Sequence, residues 1–393
     1  MSVSRRARAS ARAARVVAAT AVVWLSAVTL AGQGGQAASA PRPQMAEEVF
    51  KNVQVLKGIP VDEFMGTMGF FSAALGMNCT DCHVDESGGS WARYADDNEL
   101  KRTSRRMIQM VAAINKGSFG GRQVVTCNTC HRGTSRPNVM PSLALLYGTP
   151  PPDEPGDPFD QAPGQPPPDQ VLDRYIQAVG GAERLAKLTS FVAKGSYLGF
   201  DDADKSAMEI FARAPAQRTT IVHTLYGDST TSFDGRNAWI AAPEAEKPLP
   251  LLQVTGQELD GLRLDVQVFF PGQIKQALSK WRVGPLALIG DRETLTVQGT
   301  TPGGATATLC IDAESGLLVR LVRFSESPVG RLVTQIDYDD YREVAGVKLP
   351  FRWTVSWLSG RSVFELSEVQ PNVAIDAARF ARPAPSPRAG GGR

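Results

Sequence analysis

The chain has 393 residues, with 42 lysines and arginines against 40 aspartates and glutamates, which gives a formal net charge of +2. A single hydrophobic core stops growing at roughly 250 to 300 residues, so this length predicts two domains or more. Nucleic-acid-binding proteins present an excess of basic residues on one face, and the near-balanced charge disfavours that class. No nucleic-acid partner is therefore expected.

Residues 1–40 have the features of an export signal. Five arginines between positions 5 and 15 precede the apolar run VVAATAVVWLSAVTLAG, which is too short to span a bilayer comfortably. Ala38, Ser39 and Ala40 then match the small-x-small pattern of a signal-peptidase site. We expect cleavage after Ala40 and a periplasmic protein, with retention of the segment as a membrane anchor as the alternative.

Proline content divides the rest of the chain. Residues 137–168 include TPPPDEPGDPFDQAPGQPPP, which predicts an extended linker because proline has no backbone N–H to donate to a helix or sheet. At about 3.1 Å per residue this proline-rich linker could reach on the order of 100 Å. It separates a first predicted domain, residues 41–136, from a second, residues 169–383, and residues 384–393 are expected to form a disordered tail.

Two amphipathic helices are predicted in the first domain. In VDEFMGTMGFFSAAL, residues 61–75, apolar side chains recur every three or four residues, and Gly76 provides a stop. A second helix is predicted from about Asn98 to Lys116 on the same grounds. Its arginines are expected on the solvent-exposed face of the helix: Arg102, Arg105 and Arg106.

After the linker, a helix over QVLDRYIQAVGGAERLAKL gives way to strand signals. FRWTVSW, residues 351–357, alternates apolar with polar side chains in the period of two that a half-buried strand shows. SFDGRNAWI and CIDAESGLLVRLVRF carry glycine-containing turns between apolar stretches, as hairpins do. The sequence thus predicts an α+β multidomain protein, with a mainly helical first domain and a curved antiparallel sheet with packed helices in the second.

Two short stretches, MNCTDCHVDE and VTCNTCHRG, hold four of the five cysteines and two of the three histidines. A zinc site of four thiolates is disfavoured because 44 residues separate Cys82 from Cys127, against about 15 to 20 in zinc ribbons. Disulfides within each pair suit an exported protein but leave both histidines unexplained. A thioredoxin-like dithiol would need a βαβ pattern, which this region lacks.

Covalent attachment of haem accounts for every residue of the repeated pattern. In Cys-x-x-Cys-His the two thiols bind the haem vinyl groups as thioethers, and the histidine coordinates the iron. We therefore predict a mainly helical dihaem c-type cytochrome domain with two covalently bound haems c. The predicted attachment and proximal residues are Cys79, Cys82 and His83 for the first haem, and Cys127, Cys130 and His131 for the second.

Spacing alone leaves the second axial ligand of each iron open. His223, the third histidine, lies in a predicted strand of the second domain and is interpreted as an ordinary sheet residue, so two bis-histidine haems are excluded within one chain. Methionine is the usual alternative ligand. Four methionines lie on the two predicted helices, with core packing as the competing interpretation of each: Met65, Met68, Met107 and Met110.

Other polar and thiol side chains receive structural interpretations. Cys310 lies in a predicted strand and is expected to be a buried small side chain rather than a reactive thiol. The three aspartates of QIDYDDYREV, Asp337, Asp339 and Asp340, are expected at a solvated strand end. For Arg102, Arg105 and Arg106 of the second predicted helix, the alternative to the solvent-exposed face is a position near the haem propionates.

With these motifs in order, residues 49–137 resemble the cytochrome subunit bound to the photosynthetic reaction centres of purple bacteria. The strings that carry the resemblance are VFKNVQVLKGIPVDEFMGTM, CTDCH, RRMIQMVAAIN and VTCNTCHRG. In that family each Met/His haem takes its methionine from a helix upstream of its own motif, which implies Met68 and Met107 as the distal ligands. The family's subunit carries four haem motifs, whereas this chain has two and lacks a lipid-anchoring cysteine near the predicted cleavage site.

The second domain shows a weaker resemblance to the lipoprotein-carrier type of domain, a curved antiparallel sheet that cups helices. DRYIQAVGGAERLAKL, the hairpins that follow and GVKLPFRW carry this resemblance. It implies an apolar groove that receives an acyl chain or a segment of a partner protein.

Together these features predict an exported dihaem cytochrome that transfers single electrons and is not an enzyme. By resemblance, its partners are redox proteins, among them a membrane-bound complex whose electron donor it re-reduces. Two alternatives stay open. One is a peroxidase-like haem enzyme, which needs an open axial position, and the other is a lipid- or lipoprotein-binding protein with accessory haems.

Overall fold

The computed structural model describes residues 42–83, 91–149, 159–200, 202–244 and 247–387. Arg42 and the residues after it belong to one compact unit. The predicted signal segment, its cleavage site and residues 388–393 of the predicted tail lie outside the described residues. Within those ranges, none of the helices is long and apolar enough to cross a membrane.

The part of the chain that precedes the sheet is helical. In the described residues its helices are α1 (Ala46–Val49), α2 (Val61–Leu75), α3 (Cys79–Cys82), α4 (Glu99–Ser118), α5 (Cys127–His131), α6 (Leu143–Tyr147), α7 (Pro168–Ala178) and α8 (Ala182–Lys187). α2 confirms the first predicted helix and ends at Gly76, which adopts the left-handed conformation (φ +61°). α4 confirms the second and begins after Asn98, whose side chain accepts a hydrogen bond from the N–H of Lys101 (2.9 Å).

Thirteen antiparallel strands form one sheet in the described part of the chain. They are β1 (Ser190–Leu198), β2 (Ser206–Arg213), β3 (Gln217–Thr224), β4 (Gly227–Phe233), β5 (Ala238–Ala241), β6 (Leu252–Val254), β7 (Ser279–Ile289), β8 (Arg292–Thr300), β9 (Thr306–Asp312), β10 (Leu318–Ser327), β11 (Gly330–Val344), β12 (Val347–Trp357) and β13 (Gly360–Pro371). Their order is β6-β5-β4-β3-β2-β1-β13-β12-β11-β10-β9-β8-β7. The large antiparallel sheet predicted for the second half is confirmed.

The main core lies on the face of the sheet that the later helices cover. β12 alternates as predicted in its first half, with Phe351 and Trp353 buried and Arg352 exposed, whereas Trp357 at its end is exposed. The Trp353 ring stacks on Phe364 of β13, with centroids 5.0 Å apart. Side chains of α7, α8, α9 (Gly256–Gln267) and α10 (Ile274–Ala277) join the same core, among them the fully buried Leu172 of α7.

A smaller core joins α2 to the sheet. Phe70 and Ala74 of α2 pack with Val329 and Leu332 at the turn between β10 and β11. A β-carbon at Gly330 would lie 2.3 Å from the Phe70 ring, so the ring's close approach requires glycine there. The helical part and the sheet are therefore packed together directly.

A buried polar link fixes the other end of α2. The Asp62 carboxylate accepts hydrogen bonds from the N–H and the hydroxyl of Thr255, at 2.6 and 2.9 Å, at the start of α9. Burial raises the pKa of Asp62. Arg323 of β10 in turn holds α9 through Asp265 (3.1 Å) and Glu258 (2.8 Å). This chain of contacts sets how the helical part sits on the sheet.

The described end of the predicted linker lies against β7, an edge strand of the sheet. The N–H of Ala162 donates to the carbonyl of Val283 (2.8 Å), and the N–H of Val283 donates to the Gln161 side chain (2.8 Å). Phe159 packs at Gly284, where a β-carbon would lie 2.6 Å from its ring. These contacts occupy hydrogen-bonding groups that an edge strand otherwise leaves open.

Candidate haem-attachment sites

The first motif folds as a single capped turn of helix. α3 places Cys79 and Cys82 three residues apart, so both thiols leave the same face of the turn. The Asn78 side chain accepts a hydrogen bond from the N–H of Asp81 (3.0 Å), and the Asp81 carboxylate accepts one from the N–H of Asn78 (2.7 Å). The N–H of His83 donates to the carbonyl of Cys79 (2.9 Å), which holds the histidine at the end of the same turn.

The second motif has the same local fold. α5 runs over Cys127–His131, and the N–H of Thr126 donates to the hydroxyl of Thr129 (3.0 Å) in the capping pair. The chain then turns at Gly133 (φ +79°), whose N–H donates to the carbonyl of Ala74 near the end of α2 (2.9 Å). α2 therefore leads into the first motif and is bonded to a residue that follows the second.

Both motif histidines present the same ring nitrogen. The Nδ1 of His83 lies 2.9 Å from the carbonyl oxygen of Tyr94, and the Nδ1 of His131 lies 3.0 Å from that of Thr134. A carbonyl oxygen can only accept, so each Nδ1 carries the proton and donates it, which leaves Nε2 with a free lone pair. Metal-ligating histidines are oriented in this way by a partner at the other ring nitrogen.

The first motif opens onto a cavity of about 620 Å³. Cys79, Cys82 and His83 form one part of its wall, and both candidate methionines of α2, Met65 and Met68, form another. Pockets for cofactors have volumes of roughly 300 to 1,000 Å³ and mostly apolar walls. The apolar part of this wall includes Phe64, Phe71, Leu75 and Ile108. The residues and the room at this motif fit a covalently held haem.

The sheet contributes to this cavity as well. Pro248 and Leu249, in the loop between β5 and β6, line it. Trp91 donates from Nε1 to the carbonyl of Glu244 in the same loop (2.8 Å), a contact between residues 153 positions apart. No local pattern in the sequence predicts a contact over such a distance along the chain.

Basic side chains of α4 divide between the cavity and the surface. Lys101 and Arg105 line the cavity, and Arg105 pairs with Asp97 at 2.7 Å, a hydrogen bond that lowers the pKa of the Asp97 carboxyl. Arg102 and Arg106 are exposed and pair with Glu99. The predicted position on the solvent-exposed face of the helix is confirmed for these two residues, whereas Arg105 lines the cavity at the first motif.

Burial changes the acid–base properties of the motif residues. It raises the pKa of the Cys82 and Cys127 thiols, because removal from water disfavours the charged thiolate. It lowers the pKa of His83, since the charged imidazolium is disfavoured there, and the charge of Lys101 lowers it further. His83 is therefore held in the neutral form that a metal ligand requires.

The cysteines of the second motif are as exposed as those of the first, where Cys79 is exposed and Cys82 is half-buried. Cys127 is half-buried against the small core and Cys130 is exposed. On α4, Met107 and Met110 are 41% and 46% exposed. They share a helix face with two further exposed apolar residues, Leu100 and Ile114. An uncovered apolar stripe of this kind suits a bound hydrophobic group, and it is the chemistry that a haem held at the second motif would need.

Asn115 of α4 positions the chain that enters the second motif. Its buried side chain accepts hydrogen bonds from the N–H groups of Val124 (3.1 Å) and Val125 (2.9 Å), and it donates to the carbonyl of Val125 (2.7 Å). Sequence reasoning missed this residue because an asparagine near a helix end is common. Its signal is only that it interrupts the apolar face of α4.

The structure keeps the two cysteine pairs apart. All five cysteines are free thiols, and the described residues contain no cluster of three or more histidine, cysteine or acidic side chains that could hold a metal ion. Cys310 is fully buried on β9, as expected, and burial raises its pKa to about 12. His223 is an exposed residue of β3 whose Nδ1 lies 2.8 Å from Asp228.

The prediction of a strand end for the aspartate cluster was wrong. All three residues lie within β11, whose neighbours are β10 and β12, so this strand is in the interior of the sheet. Asp337 pairs with Arg320 on β10 at 2.5 Å, and Asp340 pairs with Arg342 at 2.6 Å. Arginine partners on the same face of the sheet allow a long interior strand to carry these charges.

Two helical turns of Cys-x-x-Cys-His, each with an imidazole fixed through Nδ1, are the arrangement of c-type haem attachment sites. Residues 17–143 match a family model described as the photosynthetic reaction centre cytochrome C subunit. The cytochrome c subunit of Thermochromatium tepidum is 41% identical over 105 residues, 26% of this chain and 24% of that one. The subunit of Roseobacter denitrificans is 32% identical over 105 residues, 25% of this chain and 28% of that one.

The resemblance predicted for the first domain is thereby confirmed for that part of the chain. The chain spans about a quarter of the length of the curated relatives it matches.

Among solved structures, a LolA superfamily protein from Nitrosomonas europaea is similar over 55% of this chain and 98% of that one, with 13% identity and a TM-score of 0.38. A putative outer membrane lipoprotein-sorting protein domain from Vibrio parahaemolyticus is similar over 55% and 97%, with 6% identity and a TM-score of 0.38. These neighbours are distant, and the description of the fold rests on the sheet itself.

Proposed function

We propose that this protein is an exported dihaem c-type cytochrome that transfers single electrons to or from a membrane-bound redox complex. The observation that carries the proposal is the first cavity, where the thiols, the oriented histidine and two methionines of one helix line a space of about 620 Å³. The match of residues 17–143 to a cytochrome family supports it independently.

The proposed roles of the chain's residues follow from the two motifs. Cys79, Cys82, Cys127 and Cys130 would hold the two haems by adding their thiols across the vinyl groups to form thioethers, and His83 and His131 would bind iron through Nε2. A haem, when bound, supplies the one-electron couple of its iron. The backbone carbonyls of Tyr94 and Thr134 hold the two imidazoles in the required tautomer.

Methionine completes the proposed ligand sets. Met65 and Met68 both line the first cavity, and Met107 and Met110 share the exposed face of α4. Resemblance to the reaction-centre subunits favours Met68 and Met107. If a histidine and a methionine held each iron, the protein would supply both of its ligands beyond the porphyrin and would leave no position for peroxide or oxygen, so we infer an electron carrier rather than an enzyme.

The domain boundaries and location belong to the same proposal. Residues 1–40 direct export and are removed, residues 41–136 bind the haems, and residues 169–383, after the linker 137–168, form the sheet on which the haem-binding part packs. The sheet's loop at Pro248 and Leu249 supports one role for that part, because it helps to enclose the first cavity.

Export from a host that matures c-type cytochromes tests the proposal. The intact mass is expected to equal the chain from Pro41 plus two haems, with the visible spectrum of low-spin iron in both. Cys310→Ala, which removes the thiol outside the motifs, should leave mass gain and spectrum unchanged. A chain of unmodified mass would contradict the proposal, and a high-spin spectrum would favour the peroxidase-like alternative.

A further inference from the structure

An exposed apolar segment follows the second motif. In residues 139–147 six large apolar side chains are between 65% and 90% exposed: Val139, Met140, Leu143, Leu145, Leu146 and Tyr147. The last four belong to α6, where successive residues are rotated by about 100°. Leu143, Leu145 and Leu146 therefore point in different directions around the helix. The segment is apolar on all sides rather than on one face.

An apolar surface on all sides indicates lipid as its environment. A groove on a protein receives one face of a helix and leaves the opposite face in water. A helix that is apolar all round is stable only where apolar material surrounds it, in a protein core or in lipid, and α6 lies on the surface of the described residues rather than in their core. Tyr147, at the end of α6, has the apolar ring and polar tip that favour this interface. No charged residue occurs between Arg136 and Asp153, so nothing within the segment opposes insertion.

The charge next to the segment favours an anionic surface. Arg132 and Arg136 are exposed, and neither forms an ion pair with another described residue. Arg136 precedes Val139 by three residues, which places their Cα atoms within about 11 Å. Over residues 98–149 there are eight basic residues and one acidic residue, a net charge of +7, whereas the whole chain carries +2. The basic excess is thus concentrated in the part of the chain that leads into the segment.

We propose that residues 139–147, together with Arg132 and Arg136, bind the surface of an anionic lipid bilayer. The apolar side chains enter the interface, and the two guanidinium groups contact the lipid phosphates. The inference does not depend on haem. If the proposed function also holds, the motif Cys127–His131, which ends directly before Arg132, is held close to the membrane where a membrane-bound electron partner lies.

Vesicle co-sedimentation of the exported full chain tests this inference. Vesicles of phosphatidylcholine with one third phosphatidylglycerol are compared with vesicles of phosphatidylcholine alone. Wild-type protein is expected to sediment with the anionic vesicles and to be released by salt. Leu145→Ser with Leu146→Ser should weaken binding roughly tenfold or more, because two exposed side chains lose their burial in the interface. Arg136→Gln should weaken it roughly fivefold, and only on the anionic vesicles.

The turn between β3 and β4 offers a matched control. Leu225 and Tyr226 are 96% and 69% exposed, so Leu225→Ser with Tyr226→Ser removes a similar apolar surface elsewhere. All variants are exported with the same signal segment and therefore share one mature N-terminus, which contributes equally to each.

Four results would overturn the inference: no binding by the wild type, equal loss in the control, unchanged binding of the Leu145/Leu146 variant, or equal binding to both vesicle types. If the exported protein carries no haem but still binds anionic vesicles, and the Leu145/Leu146 variant does not, the proposed function fails while the lipid site stands.

Discussion

The two Cys-x-x-Cys-His motifs share one local fold and differ in their surroundings. Each is a capped turn of helix with a histidine bonded through Nδ1 to a backbone carbonyl. The first faces a partly open cavity that a loop of the sheet helps to line, whereas upstream of the second motif α4 carries a face of exposed apolar side chains. The motif therefore determines how a haem would be attached, and the packing around the motif determines the haem's reduction potential and its contribution to stability.

The largest expected effect comes from removing the thiols of one motif. Cys79→Ala with Cys82→Ala should abolish one haem and leave the other, and Cys127→Ala with Cys130→Ala should do the reverse, as read from intact mass. The first variant should also lower the unfolding temperature more, because it leaves the cavity of about 620 Å³ without its occupant. An equal fall in the unfolding temperature of both variants would contradict the proposed difference between the two sites.

Asn115→Ala should disturb the second site alone. It removes three hydrogen bonds to the backbone of Val124 and Val125 and should lower the free energy of unfolding by about 3 kcal/mol. Denaturant unfolding measures this loss, and the spectrum of the second haem in a variant lacking the first reports the local change. Gln109→Ala, at an exposed position of the same helix, is the control and should have little effect.

Replacing the axial methionines should distinguish the ligand from its neighbour on the same helix. Met68→Ala should lower the potential of the first haem by on the order of 0.1 V, because a methionine ligand stabilises the reduced iron. Met65→Ala should only lower stability, by about 2 kcal/mol, since it leaves space at the cavity wall. If Met65→Ala shifts the potential and Met68→Ala does not, the two assignments exchange.

Arg105 offers a smaller and more selective change. Arg105→Gln removes a positive charge from the wall of the first cavity and should lower the potential of the first haem by roughly 50 mV. Arg102→Gln, on the surface of the same helix, should shift neither haem by a comparable amount. Redox titration of both variants makes the comparison, and equal shifts would indicate a general effect of net charge.

Much of the first site could be predicted from local patterns. The spacing of Cys79, Cys82 and His83 predicts the chemistry, and the apolar period of α2 predicts the helix that carries Met65 and Met68. Neither pattern predicts that Pro248 and Leu249 line the cavity. These two residues approach it only because α2 packs on the sheet. A contact between distant segments depends on the whole fold, and one sequence does not encode it in any local spacing.

The same limit applies at the second site and in the sheet. Asn115 reads as a polar residue near a helix end, and its role depends on the backbone of Val124 and Val125 returning alongside it. Asp337 reads as part of a solvated strand end, but Arg320 on the neighbouring strand lets it lie inside the sheet. In both cases the partner that determines the residue's role lies outside the short stretch of sequence from which the residue was interpreted.

A redox titration of the intact wild-type protein, followed by its visible spectrum, tests the unequal surroundings of the two sites most directly. Burial disfavours the additional positive charge of ferric haem, so the first haem, which the cavity would partly surround, should have the higher potential of the two. We expect two one-electron steps, with the upper step absent from the variant lacking Cys79 and Cys82. A single step for both haems, or loss of the lower step in that variant, would contradict it.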